Sequence, residues 1–188
     1  MYEGVDTVIL SNELAYQDQL PVAFRPLRRL PGEAETSAFA DRNVRILQVC
    51  AALEDHGTLE KQDETAPPGT DLARLEVKVN LLLELVGQLL AAHTRRPEPV
   101  VVRFNALGAQ WKPNDLLRVG EQGLLEIWLR ESLPQPITFA AHITHVDADG
   151  HVKASFAPPG EATADLIEKL AFRRHRRQVA GARKPRRI

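Results

Sequence analysis

The chain has 188 residues, 44% of them hydrophobic, and a formal net charge of −1. That is enough length and apolar content for one folded domain with an appendage, and it excludes a chain that cannot build a core. The single cysteine, Cys50 in "ILQVCAAL", excludes an internal disulfide framework, reads as a small buried hydrophobe and fits a reducing cytoplasm.

The first residues, "MYEGVDTVIL", are acidic and lack the basic flank of a secretory signal. No apolar run reaches bilayer length, so a soluble cytoplasmic protein with no membrane span is expected. Residues 1 to 31 form an N-terminal segment with an extended stretch, "QLPVAFRPL", that ends at "RLPG". From 36 to 94 the pattern turns helical, interrupted once by "GTLEKQDETAPPGT", where Pro67, Pro68 and Gly69 cannot continue a helix. The expectation is an inserted helical hairpin.

Its second arm, "DLARLEVKVNLLLELVGQLLAAH", places Leu72, Leu75, Val79, Leu82, Val86 and Leu89 at alternating spacings of three and four, the seam of a coiled coil. Leu81, Leu83, Leu85 and Leu90 widen the apolar face, leaving a narrow polar stripe through Glu76, Asn80, Glu84 and Gln88. A helix apolar around most of its circumference must be covered on several sides. At 1.5 Å per residue it is about 35 Å long, more than a small barrel can shield, so other copies of the chain are the expected cover. The breadth of the face points to a tetramer, with a dimer of helical hairpins as the alternative. In the first arm, "SAFADRNVRILQVCAALEDH", a matching seam runs through Phe39, Ile46, Cys50 and Leu53. Asn43, in its middle, is expected to fix register and oligomeric state.

After "RRPEP" the pattern changes to short runs with turn signals between them: "VVVRF", "GLLEIWL", "ITFAAHITHV" and "HVKASF", the last two joined by "DADG". Trp128 falls on one of these runs and Trp111 on the short strand expected after the turn at Gly108, and both are expected to fill the barrel or an interface. A final helix, "EATADLIEKLAFRRHRR", presents Leu166, Ile167, Leu170 and Phe172 on one side. Residues 173 to 188 hold eight Lys or Arg and no acid, which leaves 16 basic against 25 acidic residues in the rest of the chain. Such a tail reads as a solvated end or as a handle for an anionic partner, nucleic acid included.

Candidate chemistry is sparse. His142 and His145 are three apart on a strand, which points them to opposite faces, and no cysteine or carboxylate cluster completes a metal site. No nucleophile elbow, phosphate-binding glycine loop or dinucleotide fingerprint occurs, so no enzymatic activity, metal or cofactor is expected.

From Val100 onward the order of elements is strand, tight turn at Gly108, an "L..G" step from Leu117 to Gly120, a strand ending "EIWLRESLP", "PITFAAHITHV", a hairpin to "HVKASF" and a helix ending in arginines. This order resembles the PilZ domain, known as a receptor for the bacterial second messenger cyclic di-GMP. The resemblance implies an α+β fold: a six-stranded antiparallel β-barrel with a C-terminal helix, here over 98 to 177 with "LPVAFRPL" of the N-terminal segment as the candidate first strand, plus the helical insertion and a basic tail from 178 to 188. It also implies a ligand site of two motifs, R-x-x-x-R ahead of the barrel and D/N-x-S-x-x-G on a strand end and turn. Arg25 and Arg29 in "RPLRR" have the first spacing, but they follow the extended stretch "LPVAF" instead of preceding it. The second motif falls on Arg103, Asn105 and Gly108, of which only the glycine matches. Strand alternation would put Arg103 and Asn105 on one face. Arginine offers no acceptor to guanine N–H groups, and unmet polar contacts weaken binding by about 1 to 3 kcal/mol each. Cyclic di-GMP binding is therefore expected to be largely lost, leaving a signalling protein that acts by self-assembly and contact with partner proteins. The alternatives are a true receptor with a relocated arginine site and nucleic-acid binding through the tail. The processes the family implies are surface motility, biofilm and virulence.

Overall fold

The computed structural model describes residues 15 to 59, ten positions between 75 and 90, and residues 96 to 182, the side chains of 54 to 59 and 177 to 182 aside. In chain order the elements are β1 (Tyr16–Pro26), α1 (Glu33–Leu59), a helical segment between 75 and 90, β2 (Pro99–Phe104), β3 (Gly108–Trp111), β4 (Gln122–Ile127), β5 (Ile137–Val146), β6 (Val152–Phe156) and α2 (Glu161–Ala182). The strands close into an antiparallel barrel in the order β1-β2-β3-β6-β5-β4. The extended stretch around "LPVAF" is thus a barrel strand, and the helices are inserted between it and β2.

Closure works because alternate residues of each strand are apolar and point inward. Val102, Phe104, Trp111, Leu125, Ile127, Ile137, Ile143 and Val152 are buried in the barrel, and Ile167 of α2 joins them. Trp128, just past β4, is also buried and donates its indole N–H to the Pro134 carbonyl at 3.2 Å. Phe172, expected on the apolar side of α2, is 53% exposed, and its neighbour Ala171 is buried instead. Past it, Arg174 binds Asp18 of β1 at 2.7 Å and lies over the Tyr16 ring, so part of the arginine cluster fastens α2 to the barrel.

The first half of α1 departs from the seam expected of it. Ile46, Leu47 and Cys50 are buried in the core of their own chain. Asn43 is buried as well, donating to the Thr138 carbonyl and accepting from the Thr138 N–H, both at 2.8 Å. The physical reason lies in the sheet: β6 pairs with β5 only from Ala141 onward, so Thr138 has no strand on that side. Asn43 supplies the missing donor and acceptor, as a neighbouring strand would. Three- and four-residue spacing is equally suited to a partner helix and to the chain's own barrel, and here the barrel takes it.

Candidate functional site

The turn between β2 and β3 is built by Asn105. Its backbone N–H donates to the Gly108 carbonyl at 3.0 Å, and its side-chain Oδ1 accepts from the N–H groups of Leu107 and Gly108 at 2.9 and 3.1 Å. Both lone pairs of that oxygen are engaged within the turn. Gly108 is required by a close approach: a Cβ there would collide with the Ala154 carbonyl oxygen of β6. Each residue thus has a reason in the fold, independent of any ligand.

Arg103 does not share a face with Asn105 in the way alternation suggests. Strand geometry ends at Phe104, and Asn105 turns into the loop, buried, while Arg103 projects outward beside Gln17 and Gln110. Arg25 sits near the far end of β1, eight residues beyond the Gln17 that faces Arg103. That is about 26 Å of strand at about 3.3 Å per residue. The Arg25 guanidinium lies 3.8 Å from Glu126 on the adjacent strand, and Arg29 is exposed in the bend after β1. The five positions Arg25, Arg29, Arg103, Asn105 and Gly108 therefore form two separate groups, one at each end of β1.

His142 is exposed on β5 and His145 half-buried, separated by an irregular step in the β5–β6 register. Among the described residues no group of three His, Cys, Asp or Glu could hold a metal ion. In the β5–β6 turn, Asp147 accepts the His151 N–H at 2.7 Å, and its carboxylate lies 3.4 Å from the His151 ring. Desolvation pushes the Asp147 carboxyl up, but the His151 N–H and the His151 charge outweigh it and hold the group below its usual range.

The leucine-rich segment is the largest unsatisfied feature. All ten of its described residues are helical. Leu75, Val79, Leu81, Leu82, Leu85, Val86, Leu89 and Leu90 are 45 to 64% exposed, eight of the fourteen exposed large apolar side chains among the described residues. Leu72, the first residue of the expected seam, lies outside the described residues. Monomeric proteins rarely leave so concentrated an apolar row in water.

Two residues that the sequence pattern did not single out join this helix to the barrel. Gly87 is buried where the helix crosses the β4–β5 loop, and a Cβ there would collide with the Ser132 carbonyl oxygen. Arg96, past the end of the helix, donates to the carbonyls of Glu131 and Leu133 at 2.9 Å each. The only advance signal was a glycine in the middle of a leucine-rich helix, where it costs about 1 kcal/mol against alanine without a packing reason.

Residues 47–184 match the model of a family described as the atypical PilZ domain, a cyclic di-GMP receptor. Among solved structures, the chain is similar to a pathogenic protein from Xanthomonas campestris, described as a tetrameric PilZ domain self-assembled via an unusual helical bundle. The two are 23% identical, with a TM-score of 0.73 over 95% of this chain and 98% of that one. No curated relative matches the chain.

Proposed function

The chain belongs to the atypical PilZ domain family, and from that membership we propose that it is a non-enzymatic signalling adaptor that assembles through its leucine-rich helices and acts by protein contact. The observation that carries the proposal is the row from Leu75 to Leu90, at 45 to 64% exposure in the single chain. Covering it is worth on the order of 1 kcal/mol per residue, since full burial of such side chains contributes about 1.5 to 3 kcal/mol and each is already part-buried. Summed over eight residues in several chains, that outweighs the entropy lost on association. A tetramer covers a broad face better than a dimer does, and the Xanthomonas campestris protein is described as tetrameric.

The nucleotide site is read as degenerate. Arg103 stands where the family's motif has an acceptor, Asn105 Oδ1 is engaged by two backbone N–H groups, and Arg25 lies beside Glu126 at the other end of β1. A receptor with tight affinity needs its groups to converge on one ligand. The cellular process follows from the family alone: bacterial signalling of the kind that governs motility, biofilm or virulence.

Light scattering on the purified full chain tests the assembly. The expected native mass is four times the 20.9 kDa of one chain. A mass of one chain at every accessible concentration would sink the proposal.

A further inference from the structure

Strand register brings together a set of side chains that are far apart in the sequence. Across the outer face of the barrel, Gln17 of β1 lies opposite Arg103 of β2, Arg103 opposite Gln110 of β3, and Gln110 opposite Lys153 of β6. Lys112, one residue past the end of β3, lines the same cleft as Arg103 and Gln110. Arg103 and Lys153 flank Gln110 on its two neighbouring strands and Lys112 lies beside it, so the three cations cluster around Gln110. Among the described residues none of the three makes an ion pair, in contrast to Arg25, Lys169 and Arg174.

Beside Arg103 and Lys112 runs a cleft of about 530 Å³, floored by Val100, Val101 and Pro113 and rimmed by Gln17, Arg103, Lys112 and His151, with Lys153 outside its lining. No carboxylate lines it. Trp111 in its lining is 2% exposed and offers no ring face to stack on a base, and the His151 imidazole lies against Asp147 at 3.4 Å. Val101, by contrast, is 61% exposed and offers the floor an apolar contact.

We propose that this outer face of β2, β3 and β6 is a docking surface for an extended acidic segment of a partner protein, with Lys112, Lys153 and Arg103 each taking a carboxylate. In an extended chain alternate side chains point the same way about 6.6 to 6.8 Å apart, so successive carboxylates on one side of the segment can reach neighbouring cations of this cluster. The intervening side chains turn away or rest on Val101. Amides at Gln17 and Gln110 supply hydrogen bonds without discharging the cations. Most of the protein outside the tail is acidic, with 16 basic against 25 acidic residues before position 173, so this face is a local exception that favours an anionic partner. The inference rests on the reading that the chain acts through protein contacts, but not on the helices that assemble it.

The test is fluorescence anisotropy of a labelled peptide of alternating glutamate and serine, titrated with the full chain at low salt. K112E/K153E is expected to weaken binding about tenfold or more, while neutralising Arg183, Lys184, Arg186 and Arg187 of the tail together leaves it within about twofold. Replacing the peptide's glutamates by glutamine is expected to abolish binding. Both variants should keep the native mass of the parent, which separates failure here from failure of the assembly. Loss of binding in the tail variant with K112E/K153E unchanged would overturn the proposal. So would a complete lack of peptide binding, or tighter binding of a thymidine oligonucleotide than of the peptide through Lys112 and Lys153.

Discussion

Leu82→Asp combined with Leu89→Asp is expected to reduce the native mass from an assembly to single chains while the barrel stays folded. The two residues lie two helical turns apart and are 61% and 64% exposed in the single chain, the largest values along the helix after which Leu75 follows at 58%. In an isolated chain, aspartate at such exposed positions is nearly free of cost, because surface substitutions away from packed features fall within about 0.5 kcal/mol. Inside a bundle the same carboxylates would be buried in apolar surroundings without partners, which costs several kcal/mol per group and more when copies repel one another. The substitution thus discriminates between a helix covered by neighbours and one that is only solvated. Light scattering reads the mass, and near-ultraviolet circular dichroism of Trp111 and Trp128 reads the barrel. An unchanged mass would mean the leucine row is not the interface.

Asn43→Leu is expected to do the reverse, lowering stability by about 2 to 4 kcal/mol without directly altering how chains pair. The leucine leaves the buried Thr138 N–H and carbonyl unmet, and each unsatisfied group costs about 1 to 3 kcal/mol. At about 2 to 4 °C per kcal/mol for a chain of this size, the thermal midpoint should fall by roughly 5 to 15 °C. Asn43→Asp is intermediate, since its carboxylate can accept from the Thr138 N–H but repels the carbonyl. Had Asn43 served as the polar register residue of a coiled coil, leucine there would raise stability and change the oligomeric state. Chemical denaturation and native mass on the same variant tell the two roles apart.

The leucine pair and Asn43 mark what was legible in the sequence. The barrel was, because short strands punctuated by glycine, proline and "DADG" follow one another in an order that resembles the PilZ domain, and because inward positions alternate along β2 and β6. The second helical arm was legible too, as its apolar breadth exceeds what one small barrel can cover. Asn43 was misread because a seven-residue pattern specifies a buried stripe and not what buries it. The gap on β5 that Asn43 fills appears only once β6 is seen to start pairing at Ala141.

The candidate site was legible in part for a similar reason. Alternation holds inside a strand and lapses at its end, so Arg103 and Asn105 separate at the residue where β2 stops. The spacing of Arg25 and Arg29 carried no information about which end of β1 they occupy. The cationic cluster of Arg103, Lys112 and Lys153 could not be read at all, because it depends on β3 pairing with β6 across more than forty residues. Sequence gives the faces of single strands, and register decides which faces meet.

The most direct measurement is calorimetric titration of the assembled full chain with cyclic di-GMP, with native mass recorded on the same sample. The expected result is no saturable heat from a folded assembly, as befits a barrel whose Asn105 oxygen closes its own turn and whose two arginine groups lie at opposite ends of β1. Saturable binding with a micromolar or tighter Kd, weakened by Arg25→Ala or Arg103→Ala, would contradict the account and make the chain a receptor.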